Sequence, residues 1–210
     1  MRQSLRLDAI TLVLLLATTP AHAGLLALDF QGVAWAGSSL NGTPIGGTSF
    51  TVQVDFDPTT QTPIEQGAAF YAVTSIDVTV GGTSYAVTNL SDFSMALIDA
   101  TNPTYPGIYD PGFYNSSDNS GFSPSYTTAT PALSATDPTP TVFSGYSAAD
   151  SFGNYATFST ADGPLILLYD INVGIDASIN SVPEPSSLFL CGIGGSIGLV
   201  VARRHRKRAA

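Results

Sequence analysis

Eight consecutive residues, Phe50-Thr51-Val52-Gln53-Val54-Asp55-Phe56-Asp57, alternate apolar and polar without a break. A period of two places Phe50, Val52, Val54 and Phe56 on one face of an extended chain and the four polar residues on the other, which a helix of period 3.6 cannot do. The segment is therefore expected to be a strand with one face toward a core and one toward water. Pro58-Thr59-Thr60 should end it, because proline cannot donate to a ladder and the threonines favour a turn.

The same pattern recurs along the chain. Ile76-Asp77-Val78-Thr79-Val80 alternates, Gly81-Gly82 supplies two residues that accept positive φ, and residues 83–88 resume the alternation with Tyr85 and Val87 on one face. That combination predicts a tight hairpin. Further strands are predicted at 25–31, 70–74, 93–98, 141–146, 155–160 and 165–173, the last apolar enough at its start to be buried on both faces. Residues 99–140, dominated by Pro, Gly, Ser, Thr, Asn and Tyr, read as a long loop that either carries short strands over the surface or forms a partly disordered insertion. With no helical pattern of useful length and no internal repeat between 24 and 182, the expected fold class is all-β, a β-sandwich of jelly-roll type. The strand order is not legible.

Charge is divided as sharply as hydropathy. All seven Lys/Arg lie before Gly24 or after Val200, and residues 24–182 also contain no His and no Cys. The same segment carries fourteen acids, thirteen of them Asp, against a whole-chain net charge of −9. No internal salt bridge can form in it, and self-repulsion must grow as salt is lowered. Nucleic acid is excluded as a partner, since phosphate contacts are made by the absent cations. With the single Cys191 outside this segment, no disulfide can staple it, so core packing alone must hold it.

The two ends look like targeting devices. Arg2 and Arg6 precede an apolar run from Ile10 to Ala17 and then Ala21-His22-Ala23, the order of a signal peptide cleaved between Ala23 and Gly24. At the other end, Pro183 and Pro185 disfavour helix before them, so residues 182–185 should form an extended handle. Ser186 can cap a helix over 187–202. Seventeen uncharged residues, 186–202, make about 25 Å of helix against a hydrocarbon core of about 30 Å, a short transmembrane anchor. Arg203, Arg204, Arg206, Lys207 and Arg208 follow and fix that end as cytoplasmic. Within the span, Gly194 and Gly198 have the spacing of a close helix contact, and Cys191 is a candidate lipidation site.

Val182-Pro183-Glu184-Pro185-Ser186, a short Gly/Leu-rich span and a terminal Arg cluster resemble the PEP-CTERM sorting signal of exported proteins in Gram-negative bacteria. The resemblance covers the last 28 residues. It implies residues 1–23 as signal peptide, 24–182 as exported body and 183–210 as an inner-membrane anchor. It further implies recognition of Pro183, Glu184 and Pro185 by an exosortase, a membrane-embedded cysteine peptidase or transpeptidase. The context implied is extracellular polysaccharide and biofilm, with the mature protein at the cell surface or outside the cell.

For chemistry in the body, the composition removes the Ser-His-Asp triad, the Cys-His pair, the arginine clamp and the His-based zinc site. Paired carboxylates remain, the minimum for a glycoside hydrolase. So does calcium, which takes carboxylate and loop carbonyl oxygens, with Asp55 and Asp57, Asp110 and Asp118, and Asp170 and Asp176 as candidate ligands. None has the spacing of an EF-hand loop, and an acidic solubilising surface uses the same residues. Tyr105, Tyr109, Phe113, Tyr114, Phe122 and Tyr126 could stack on sugar rings or pin the loop to the sandwich. Asn41, Asn89 and Asn115 begin glycosylation acceptor patterns. The expectation is an exported non-enzymatic surface or matrix protein without cofactor, with a calcium-dependent carbohydrate-binding module as the alternative and a carboxylate-only hydrolase behind it.

Overall fold

The computed structural model describes residues 24–147 and 154–182, and they form an all-β protein. In chain order the strands are β1 (Leu26–Val33), β2 (Ser39–Leu40), β3 (Thr43–Pro44), β4 (Ser49–Phe56), β5 (Thr62–Glu65), β6 (Ala68–Val80), β7 (Thr83–Ala86) and β8 (Phe93–Ile98). They continue as β9 (Asp110–Asn115), β10 (Ser120–Phe122), β11 (Ser125–Thr130), β12 (Thr141–Ser147), β13 (Asn154–Thr160), β14 (Gly163–Leu168) and β15 (Asp176–Ser181). The pairing path runs β11-β12-β15-β1-β4-β6-β8-β9-β10-β13-β14-β2-β3, with β5 and β7 also paired to β6. Every assigned pair is antiparallel.

The path doubles over at β6. Its first half, Ala68 to Ala72, pairs with β8, whereas its second half, Val73 to Val80, pairs with β4 across a register shift at Asp55/Phe56. A bulge of this kind bends a strand and lets it serve two sheets. The result is two facing layers that share one long strand. β4 obeys its alternation: Phe50, Val52, Val54 and Phe56 are buried and the residues between them are not. Asp57 then caps a single 3-10 turn at Pro58–Thr60. The Gly81-Gly82 hairpin forms with φ of 57° and 84°, and Val80 faces Thr83 across it.

Aromatic rings fill the space between the layers. Phe30 meets Phe113 at 5.6 Å and Phe122 at 5.8 Å, and Phe93 stacks on Phe158 at 5.6 Å. Offset and tilted rings at these separations add to the apolar area they bury. Among the described residues, no buried side-chain polar atom lacks a hydrogen-bond partner.

Two expectations are corrected. Residues 99–140 carry short strands, β9, β10 and β11, as one of the two alternatives had it, but these do not run over the surface: Phe113 and Phe122 stand in the centre of the core. Pro111, Gly112 and Gly121 interrupt the hydrophobic pattern there while the backbone stays extended. The strand predicted at 165–173 stops at Leu168, and it is not buried on both faces. It stops there because the chain turns at Asp170, and the pleat buries Leu165 and Leu167 fully while Ile166 and Leu168, on the other face, are only half-buried.

Candidate functional site

β1 and β15 lie side by side, and their pairing defines two poles. At one, Leu26 faces Ser181 and the Val182 N–H donates to the Leu25 carbonyl at 2.9 Å. The first and last described residues, Gly24 and Val182, therefore lie at the same pole. Ala23, the handle Pro183, Glu184 and Pro185, the span 187–202 and the charges Arg203, Arg204, Arg206, Lys207 and Arg208 lie outside the described residues. At the other pole Gln31 faces Asp176 and β1 runs on to Val33 beyond its partner. Seven residue steps of strand separate the two poles by roughly 23 Å.

A groove opens at this second pole because β15 gives out. β12 flanks β15 at Thr141/Ile179 and Val142/Ser178, but before Asp176 the chain is in the turn 170–175 and no longer separates β1 from β12 as a strand. The space bounded by β1, β12 and the turn has a volume of about 660 Å³. Its apolar side is unusually open to water: Trp35 is 36% exposed, Val33 58% and Val173 80%. Gln31, Asp176 and Asp170 add polar groups from β1, β15 and the turn, and Tyr146 comes from β12. A concave site with an aromatic and apolar wall and a few polar groups is the ordinary form of a small-ligand site.

Tyrosine hydroxyls brace the turn at both ends. Tyr146 donates to the Ile171 carbonyl at 3.1 Å and Tyr126 to the Ile175 carbonyl at 2.5 Å. Asp170 accepts from the Asn172 backbone N–H at 2.8 Å, and the Gly174 N–H closes on the Asp170 carbonyl at 2.8 Å. Gly174 is required there. Its φ is +87°, and a Cβ would stand 2.6 Å from the Tyr146 ring. Burial pushes the hydroxyl pKa of Tyr126 and of Tyr169 far up, with neighbouring negative charge adding to it, so both stay protonated donors. The turn is thus held in place before any ligand arrives.

The six aspartates named from the sequence fall out differently. Asp170 and Asp176 both line this groove. Asp55, on β4, accepts from Gln53 Nε2 at 2.8 Å and Ser75 Oγ at 2.7 Å. Asp57 accepts from the Thr59 N–H at 2.8 Å and Oγ1 at 2.6 Å, and these bonds hold its pKa below the usual range. Asp110 is buried and accepts from Ser123 Oγ at 2.7 Å, at the start of β9, whereas Asp118 caps the turn beyond the end of that strand through the Ser120 N–H at 3.0 Å. That pair is not brought together. Among the described residues no group of three or more His, Cys, Asp or Glu is placed to hold a metal.

Of the six aromatics between Asn102 and Tyr126, Phe113, Phe122 and Tyr126 are core residues. Tyr105 and Tyr114 instead flank a second groove of about 400 Å³, with Ile64 and Phe70, over a floor of Ala96 and Gly112. The acceptor patterns divide too. Asn115 is 1% exposed and bonded to Thr157 and Ser117, and Asn89 is tied to Asp92 and Ser159, while Asn41 sits exposed in a turn.

Two residues escaped the sequence reading. Trp35 is the chain's only tryptophan, two residues after Val33 on the same alternation, and that singularity is the signal that could have marked it. Asp99 had no such signal. It is 7% exposed and accepts from the Thr101 N–H and Oγ1 and from the Ala135 N–H, 36 residues away. Burial works to raise its pKa, but the three donated bonds outweigh it and hold the carboxyl below its ordinary value.

No curated protein and no solved structure matches this chain. Residues 181–207, which begin on the last residue of β15, match the model of the PEP-CTERM protein-sorting motif, and that motif marks the chain as one exported and sorted by an exosortase.

Proposed function

We propose that this is a non-enzymatic protein of the cell surface or extracellular matrix, secreted under a signal peptide removed by signal peptidase. In this reading it is held briefly at the inner membrane of a Gram-negative bacterium by its C-terminal anchor and processed at Pro183-Glu184-Pro185. The observation that carries the reading is the sorting motif adjoining β15. Two further facts support it: all the basic residues lie outside the body, as expected if body and tail end on opposite sides of a membrane, and the two ends of the body emerge at one pole. The groove at the far pole would then face away from the membrane. A body lacking His, Lys, Arg and Cys supports binding rather than catalysis, and an extracellular-polysaccharide context fits that use.

Mass spectrometry of the exported protein tests it. Cells with an exosortase should yield a chain starting at Gly24 and lacking residues 186–210, and replacing Pro183-Glu184-Pro185 by alanines should leave the tail in place. An intact tail on the wild-type exported protein would defeat the assignment.

Calcium-dependent carbohydrate binding is a second reading, favoured by the presence of both Asp170 and Asp176 in the lining of one groove. A calcium concentration 100 times Kd should raise stability by about 2.7 kcal/mol over a chelator control. No change in melting temperature at millimolar calcium would remove it.

A further inference from the structure

We infer that the Trp35 groove binds a polysaccharide built from amino sugars, with protonated amines on its rings. The inference rests on the reading of the body as an exported binding protein and names what it binds. Side chains of opposite character line the groove: Trp35, Val33 and Val173 are exposed and apolar, Asp176 is an exposed carboxylate, and Asp170 is a half-buried one whose Oδ1 already accepts from Asn172. An occupant has to cover the apolar residues and satisfy the carboxylates. A pyranose ring presents an apolar face of C–H groups that stacks on an indole, and its hydroxyls and amine donate at the edge.

Charge selects among sugars. The body has fourteen acids and no basic side chain at all, so nothing in it can pair with a uronate, sulfate or phosphate. An anionic polymer is repelled over the whole surface, whereas a cationic one is steered toward it. A protonated amine gains charge-assisted bonds to Asp170 or Asp176 and attraction to the faces of Trp35 and Tyr146. A lysine-rich peptide would offer the same charge, but its ammonium groups sit on flexible stems with no flat apolar face for Trp35, Val33 and Val173.

The site is built to hold a shape. The turn carrying Asp170 and Val173 is fixed by the Tyr146 and Tyr126 hydroxyls and by the contact of Gly174 with the Tyr146 ring. Little ordering remains to be done on binding. Its position completes the argument, since a groove some 23 Å of strand from the anchored pole points at what surrounds the cell rather than at the membrane.

Because Trp35 is the only tryptophan, its emission reports occupancy directly. The full-length chain in neutral detergent is titrated, in mildly acidic buffer, with a glucosamine tetramer, its N-acetylated counterpart, a neutral glucose tetramer and tetralysine. The expected result is a saturable change in Trp35 emission with the glucosamine tetramer, with the other three at least about tenfold weaker. Asp176→Asn should weaken glucosamine binding about tenfold by calorimetry with an unchanged melting temperature, and Phe70→Ala in the second groove should leave it unaltered. Tighter binding of tetralysine, equal binding of the neutral tetramers, no saturable change, or a loss in Phe70→Ala but not Asp176→Asn each overturns the proposal. Tail processing is read by mass and the groove by binding. A processed chain that ignores the glucosamine tetramer refutes the groove assignment alone, and an unprocessed chain that binds it refutes the sorting reading alone.

Discussion

Two aspartates, Asp99 and Asp29, show how one residue type serves opposite ends in a body with no cations. Asp99 replaces a salt bridge with three donated hydrogen bonds, and through Ala135 it fixes the segment to which the Tyr71 hydroxyl also donates at 2.5 Å. Its pKa is lowered on folding, so its contribution is whole above the ordinary carboxylate value near 4 and drains away as the pH falls below it. Asp99→Asn turns one acceptor into a donor and should cost about 1–3 kcal/mol at pH 7. Thermal melts should show the deficit narrowing once the wild-type carboxyl is protonated. Asp29 behaves inversely. Burial, with the charge of Asp55 added, raises its pKa against the opposing bond from Asn180 Nδ2. A raised carboxylate costs stability as pH climbs from the unfolded value through the folded one, so Asp29→Asn should melt higher than wild type at pH 7. The advantage should vanish below about pH 4, where both forms are neutral.

At the scale of elements, the turn 170–175 and the strands β9 and β10 carry what the local pattern hides. Tyr126→Phe leaves the buried Ile175 carbonyl without its donor and should cost about 1–3 kcal/mol in chemical denaturation. Gly174→Ala forces a Cβ into the Tyr146 ring at a φ of +87°, and should cost a similar amount while altering Trp35 emission through the displaced groove wall. A merely surface turn would tolerate both changes. β4, β8 and the Gly81-Gly82 hairpin were legible because their alternation is unbroken and each needs only its neighbours in sequence. β9 and β10 were not, because Pro111, Gly112 and Gly121 dilute the pattern and their partners are set by distant chain: Phe113 faces Met95 on β8, and Gly121 faces Tyr155 on β13. The long β6 was read as two strands for a related reason, since its bend at the register shift belongs to the sandwich rather than to its own residues.

For the whole molecule, fourteen acids without a compensating base make the body self-repelling, and its compactness rests on the apolar and aromatic core. Raising sodium chloride from about 10 to 150 mM shortens the screening length from about 30 to 8 Å, and the melting temperature of the body should rise monotonically across that range. A flat response would show that the acids are too well separated to repel. By itself the sequence determined the all-β class, the two-faced strands, the absence of basic chemistry from the body and the sorting tail, because alternation, composition and a terminal motif are properties of order along the chain. Only the tertiary structure decided which acids share a groove, which aromatics are core, and that the end of β15 opens a groove beside Trp35 at the pole opposite Leu25 and Val182. Those depend on strand order and register, which contacts between distant residues impose and no local pattern encodes.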